Sequence, residues 1–121
     1  KRRPKAGESE VMNIIGDVKN KSCIITDDII DSGGTIVNAA KALKNKGAKE
    51  VYVYITHAVL SGSAVDKIKN SSIKKLIVTD SIDNSQKIKN TSKIEVLSIS
   101  TLMSEAIKRI SNSTSVSSLF K

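Results

Sequence analysis

The stretch richest in chemistry runs from Ile24 to Thr35, IITDDIIDSGGT. It leads from a β-branched apolar segment through the paired acids Asp27 and Asp28, past a third acid, Asp31, into Ser32-Gly33-Gly34-Thr35 and onto a helical pattern. The two glycines let the backbone approach an anion closely, and the hydroxyls of Ser32 and Thr35 can donate to its oxygens. A helix N-terminus adds unpaired N–H groups and a partial positive charge. Carboxylates at Asp27 and Asp28 suit the vicinal hydroxyls of a sugar, which donate hydrogen bonds to such acceptors. The combination points to a phosphorylated sugar, with its phosphate on Asp31 to Thr35 and its hydroxyls on the paired acids. A plain N-cap at Asp31 or Ser32, or a plain Gly-Gly turn, accounts for either half but not for both in one strand–loop–helix unit. The loop is neither a Walker loop nor a GxGxxG fingerprint, since no Gly-Lys-Ser/Thr follows and the glycine spacing differs.

The elements around this stretch alternate. Val11 to Val18 is short and β-branched, and with Ser22 to Thr26 it reads as a hairpin across the turn Lys19-Asn20-Lys21. From Thr35 to Lys46, Ile36, Ala39, Ala40 and Leu43 recur on one helical face, and Gly47 ends the helix. Val51 to Thr56 is the next strand. Ser63 to Asp66 matches a capping box that opens a short helix with Val65 and Ile68 inward. Leu76 to Thr79 and Ile94 to Ile99 are further strands, separated by a polar loop over 81–92. Met103, Ala106, Ile107 and Ile110 mark a last helix, and 111–121 is a Ser-rich tail expected to dock on something further. Strands alternating with helices predict an α/β fold, a mostly parallel sheet of about five strands flanked by helices on both faces. Ligands of such sheets bind outside the carboxyl ends of the strands, where Asp27 to Thr35 falls.

Composition narrows the class. The chain has 121 residues, enough for one domain, and 39% of them are hydrophobic, as in an ordinary globular protein. No apolar run approaches the roughly 20 residues of a membrane helix, so no membrane partner is expected. Cys23 is the only cysteine, which excludes an internal disulfide or a zinc finger within the chain. Tyr52, Tyr54 and Phe120 are the only aromatics, too few for the stacking platforms of a single-strand nucleic-acid binder. The net charge of +8 is spread over both halves, which fits solvated lysines and a field favouring small anionic substrates. Lys1-Arg2-Arg3-Pro4 follows no initiator Met and precedes no apolar h-region, so the chain reads as part of a longer polypeptide.

Ile24 to Thr35 resembles the phosphoribosyl pyrophosphate motif of type I phosphoribosyltransferase folds, and its variant with a third acid resembles the ribose-phosphate pyrophosphokinase (phosphoribosyl pyrophosphate synthetase) family. So do Lys1 to Pro4, Glu10 to Val18 (EVMNIIGDV), Thr56 to Gly62 (THAVLSG), Val78 to Asp80 and Ser115 to Phe120 (SVSSLF). Gly7, where the family often has Asn, and Asp83, where it often has Pro, are the departures. The resemblance implies an incomplete C-terminal domain over 1–121 whose full enzyme moves the diphosphoryl group of magnesium-ATP to ribose 5-phosphate. It places a catalytic flexible loop at 1–9, with Lys1 and Arg3 over the transferring phosphoryl groups and Arg3 also at the substrate. It gives the ribose 5-phosphate site to Asp27, Asp28, Asp31, Ser32, Gly33, Gly34 and Thr35. Magnesium ligands belong by this resemblance to an N-terminal part outside the chain, and none is expected here. His57 is read as a structural hydrogen-bonder. The family further implies a cytoplasmic homo-oligomer, commonly a hexamer, and no synthase activity for these 121 residues alone. A phosphoribosyltransferase and a non-catalytic regulatory homologue are the alternatives.

Overall fold

Each strand of a parallel sheet must reach its neighbour by a crossover, and the alternating pattern of this chain supplies one after each of its first strands. A computed structural model describes residues 13–121. It contains β1 (Ser22–Ile30), α1 (Gly34–Asn45), β2 (Glu50–Ala58), α2 (Ala64–Lys69), β3 (Lys75–Thr79), β4 (Ile94–Leu97) and α3 (Ser100–Ser111), followed by a 3-10 turn at Ser117–Phe120. The four strands are parallel and lie in chain order, β1-β2-β3-β4. The α/β architecture is the one expected. Crossovers between parallel strands are right-handed, so strands in chain order send every crossover over the same face. There, Ile36 and Ala40 of α1 and Ala64 and Ile68 of α2 pack on Val51, Val53, Ile55, Leu76 and Val78. Ile88, from the polar loop before β4, joins the same core.

Several expectations change on contact with the structure. The sheet has four strands among the described residues, not five, and helices cover one face of it rather than both. The other face leaves Ile24, Tyr54 and Leu97 exposed. Among the described residues no hairpin forms. Residues 13–18 hold no strand, and Ile15 is 99% exposed. The chain enters β1 through Asn20 in the left-handed region (φ 60), tied by its N–H to Gly47 O at 2.8 Å. Lys49 N–H closes the other side on Lys21 O at 2.8 Å. That tie holds the connection at 20–21 against the α1–β2 turn. Gly47 itself has φ 94 and a Schellman-type closure, with Ala48 N–H on Leu43 O at 3.1 Å. Ser63 is the N-cap of α2 as expected, but its side chain makes no capping bond, so the capping box is absent.

The last helix forms, yet its apolar stripe does not pack. Met103, Ile107 and Ile110 are all half-exposed or more. What holds α3 in place is polar. Asp80, just after β3, accepts Ile99 N–H at 2.9 Å and Ser98 Oγ–H at 2.7 Å, and these donors pull its pKa down. The tail folds back on the end of α3, where Arg109 donates to Ser115 O and to the Ser118 hydroxyl.

At the amino edge of the sheet, three segments meet on one carboxylate. Glu50 opens β2 and accepts Lys74 Nζ–H at 2.7 Å and Ser22 Oγ–H, from the start of β1, at 2.8 Å. The Lys74 ammonium, then the Ser22 hydroxyl, lower the Glu50 pKa from an ordinary 4.5 to about 2. A carboxyl whose pKa is lower folded than unfolded stabilises the fold fully above its unfolded value and loses that contribution as pH falls through its folded value. Acid titration of stability should therefore fall between pH 4.5 and 2 in the parent. In Glu50→Gln that component of the slope should vanish. An identical slope in both proteins would remove this cluster from the stability of the sheet.

Candidate functional site

β1 is longer than its apolar run. It continues through Asp27 and Asp28 to Ile30, so the paired acids lie within a strand and not past its end. Burial alternates along β1 as far as Asp27, and then Asp28 and Ile29 are exposed in succession before Ile30 is buried. β2 slips at the same level, with Thr56 and His57 exposed before Ala58 is buried. The pairs Asp27↔Ile55, Ile29↔His57 and Ile30↔Ala58 put the two slips side by side. The carboxyl end of the sheet is thereby opened to solvent at Asp28, Ile29, Thr56 and His57. Asp27 is half-buried and accepts the N–H of Asp28 at 2.9 Å, which orients its carboxylate.

The loop after β1 is held by its carbonyls. Ile30 O accepts the N–H of Val59 at 3.0 Å and of Leu60 at 3.2 Å, and Asp31 O accepts that of Ser61 at 3.0 Å. Ser32 O takes Lys67 Nζ–H from α2 at 3.4 Å. In a trans peptide the C=O and the following N–H point in opposite directions. Drawing the carbonyls of Asp31 and Ser32 toward 61–67 therefore turns the amides of Ser32 and Gly33 the other way. Gly33, left-handed at φ 83, then starts α1, and α1 has no side-chain cap. Among the described residues, no hydrogen bond engages the amides of Ser32, Gly33, Gly34 or Thr35. Consecutive unengaged N–H groups around a left-handed glycine at a helix start make an anion-binding concavity. The expected residues Asp31, Ser32, Gly33, Gly34 and Thr35 thus come together as one loop, with Asp27 and Asp28 on the strand that feeds it. Lys1 and Arg3 lie outside the described residues.

Two further groups border this edge. His57 Nδ1 is 2.8 Å from Ser81 Oγ, which also donates to Thr56 O at 3.1 Å. A hydroxyl has one hydrogen, so the Nδ1–H of His57 is the donor in that pair. His57 thereby joins β2 to the segment after β3, the structural role expected of it. On the open face, a groove of about 290 Å³ is lined by Thr26, Asp27, Tyr54, Thr56, Thr79 and Leu97 among others. Among the described residues no group of three or more His, Cys, Asp or Glu side chains converges to hold a metal ion. Without a third such side chain beside them, Asp27 and Asp28 do not fit a protein-held magnesium centre among the described residues.

A protein-family profile, phosphoribosyl synthetase-associated domain, matches residues 3–121. The chain belongs to the phosphoribosyl synthetase-associated family. Members similar to it include ribose-phosphate pyrophosphokinases of Vibrio parahaemolyticus, 56% identical over 120 residues, and of Brucella melitensis, 58% identical over 120 residues. Each alignment covers 99% of this chain, but the chain spans only 38% of the first relative and 39% of the second. A crystal structure of phosphoribosylpyrophosphate synthetase from Mycobacterium smegmatis is similar in fold, with a TM-score of 0.76 and 38% sequence identity. That match covers 82% of this chain and 33% of the other.

Within this family member the loop's one unusual backbone requirement sits at Gly33. A Cβ there would meet Ile68 Cδ1 at 3.8 Å, an ordinary contact, so space is not limiting and the positive φ is. Gly33→Ala should lower stability by about 1–2 kcal/mol, the left-handed cost of an L-residue. Gly34→Ala, with open space around it, should be neutral or slightly stabilising. Urea unfolding compares them, and equal effects would mean that Gly33 carries no conformational constraint.

Proposed function

We propose that this chain is the ribose 5-phosphate-binding part of a ribose-phosphate pyrophosphokinase. The observation that carries the reading is the loop 31–35, whose amides at Ser32 to Thr35 have no hydrogen-bond partner among the described residues at a helix start, fed by a strand bearing Asp27 and Asp28. The 5-phosphate takes those amides together with the hydroxyls of Ser32 and Thr35, while Asp27 and Asp28 accept hydrogen bonds from the ribose hydroxyls. The other substrate is magnesium-ATP. The anomeric hydroxyl oxygen attacks the β-phosphorus and gives up its proton to solvent, the bond from that phosphorus to the α–β bridging oxygen breaks, and AMP leaves as phosphoribosyl pyrophosphate forms. Lys1 and Arg3 stabilise the charge that spreads over the transferred phosphoryl oxygens, a task of positioning and cationic stabilisation. The names of the relatives support this reading over a phosphoribosyltransferase that consumes the same product. The working state is a cytoplasmic homo-oligomer, a hexamer in this reading. No helix among the described residues is long and apolar enough to cross a membrane.

The phosphate site is local, so it is tested on its own. Titration with ribose 5-phosphate should move the amide resonances of Ser32 to Thr35 first, with an affinity of roughly millimolar, as suits one phosphate with few contacts. Largest shifts at Lys69, Lys74 and Lys75 instead would reduce the binding to nonspecific charge attraction and remove the site. In the polypeptide that carries synthase activity, Lys1→Ala should lower kcat far more than it raises KM for ribose 5-phosphate, the pattern of an interaction made in the transition state. A change confined to KM would move Lys1 into ground-state binding.

A further inference from the structure

We propose that Ser61 is a positioning residue for the phosphate loop, holding the Asp31 carboxylate where it cannot occupy the amides that the phosphate needs. The inference rests on the ribose 5-phosphate reading and adds to it a device that keeps the site's own acid out of it.

The difficulty is built into the sequence. Asp31 lies just before an uncapped helix start, and Asp side chains readily hydrogen-bond backbone N–H groups two or three residues further on, as Asx turns and N-caps. Left to itself, the Asp31 carboxylate is the nearest anion to the amides of Gly33 and Gly34. It would fill the concavity and repel a phosphate approaching it. The structure has no such bond, and α1 is without any side-chain cap. Instead, Ser61 Oγ donates to Asp31 Oδ1 at 2.5 Å, across thirty residues of chain. The same residue's N–H donates to Asp31 O at 3.0 Å. Backbone and carboxylate of Asp31 are thus both drawn to the 59–61 turn, the side opposite to the Ser32 and Gly33 amides.

The turn that presents Ser61 is itself fixed. Leu60 has φ 51, in the left-handed region that branched side chains avoid, and its side chain is only 1% exposed. The carbonyls that this conformation turns outward, Val59 O and Leu60 O, accept Lys87 Nζ–H at 3.1 and 3.3 Å. Lys67, bonded to Ser32 O, lies one helical turn beyond Ser63 and secures the next peptide of the loop. Strain of this kind persists where surrounding contacts over-determine it, as they do here.

The test is a mutant cycle in the intact polypeptide that carries this chain, with ribose 5-phosphate and inorganic phosphate as probes and the amide shifts of Ser32 to Thr35 as the readout. Ser61→Ala should weaken binding of both about fivefold, the scale of one capping interaction released to compete. Ser61→Thr keeps the hydroxyl and should restore affinity. In an Asp31→Ala background, which has no carboxylate to restrain, Ser61→Ala should change nothing. Where turnover is measured, Ser61→Ala should raise KM for ribose 5-phosphate with little change in kcat. Equal weakening with and without the Asp31 side chain would make Ser61 a structural residue of the turn and overturn the proposal, as would unchanged affinity in Ser61→Ala. Failure of the unsubstituted chain to bind either probe at these amides would overturn the ribose 5-phosphate reading itself, and the proposal with it.

Discussion

Parallel pairing in chain order is the constraint on which this molecule depends. It sends all carboxyl ends of the strands to one edge and all crossovers to one face. The core then needs only small and branched residues from α1 and α2 against the middle strands, which is where Ala40, Ala64, Ile68, Val53 and Leu76 lie fully buried or nearly so. The price of that economy is a second face that no described helix covers, with Ile24, Tyr54 and Leu97 exposed. Among the described residues, those proposed to hold ribose 5-phosphate stand on the shared carboxyl edge, and the ties around Glu50 stand on the opposite one.

The edge works because two strands lose their alternation together. A single slipped strand would expose one residue against a continuing neighbour and cost ladder hydrogen bonds. Here Asp28-Ile29 and Thr56-His57 slip at the same level, so the register continues to Ile30 and Ala58. Polar residues gain solvent without any strand ending early. The loop beyond then inherits a firm starting point, and its carbonyls can be gripped by the turn that follows the neighbouring strand.

Much of this was legible in the residues. The βα alternation, the helix over Gly34–Asn45, its termination at Gly47 and a glycine loop at 31–35 before that helix all follow from periodicity, glycines and the Asp-Ser-Gly-Gly-Thr spacing, because each is a local preference. The failures are equally physical. Val11 to Val18 has strand composition, but strand composition needs a partner edge, and the Asn20 and Lys49 hydrogen bonds tie the connection before β1 to the α1–β2 turn. Met103, Ile107 and Ile110 have core periodicity, which reports what a helix can bury and not what stands beside it. The paired acids were read at the end of β1 because the apolar run stops at Thr26. Pairing with β2 carries the strand four residues further. Ser61 stands in the Thr56 to Gly62 segment that carries the family resemblance, but its contact with Asp31 has no sequence signal, since that partner lies thirty residues away and the turn that delivers it hangs on a left-handed leucine that no propensity would name.

That leucine has a dynamic consequence. A glycine at position 60 would relax the backbone but give up a side chain sealed in the core. A leucine that relaxed to negative φ would have to leave the core and release the hydrogen bonds of its turn in the same motion. The turn therefore has no cheap intermediate between closed and open. Its motion should be a rare, cooperative local unfolding and not a continuous flutter. Amides 59–61, though set in a surface connection, should then exchange with solvent as slowly as those of the strands they join.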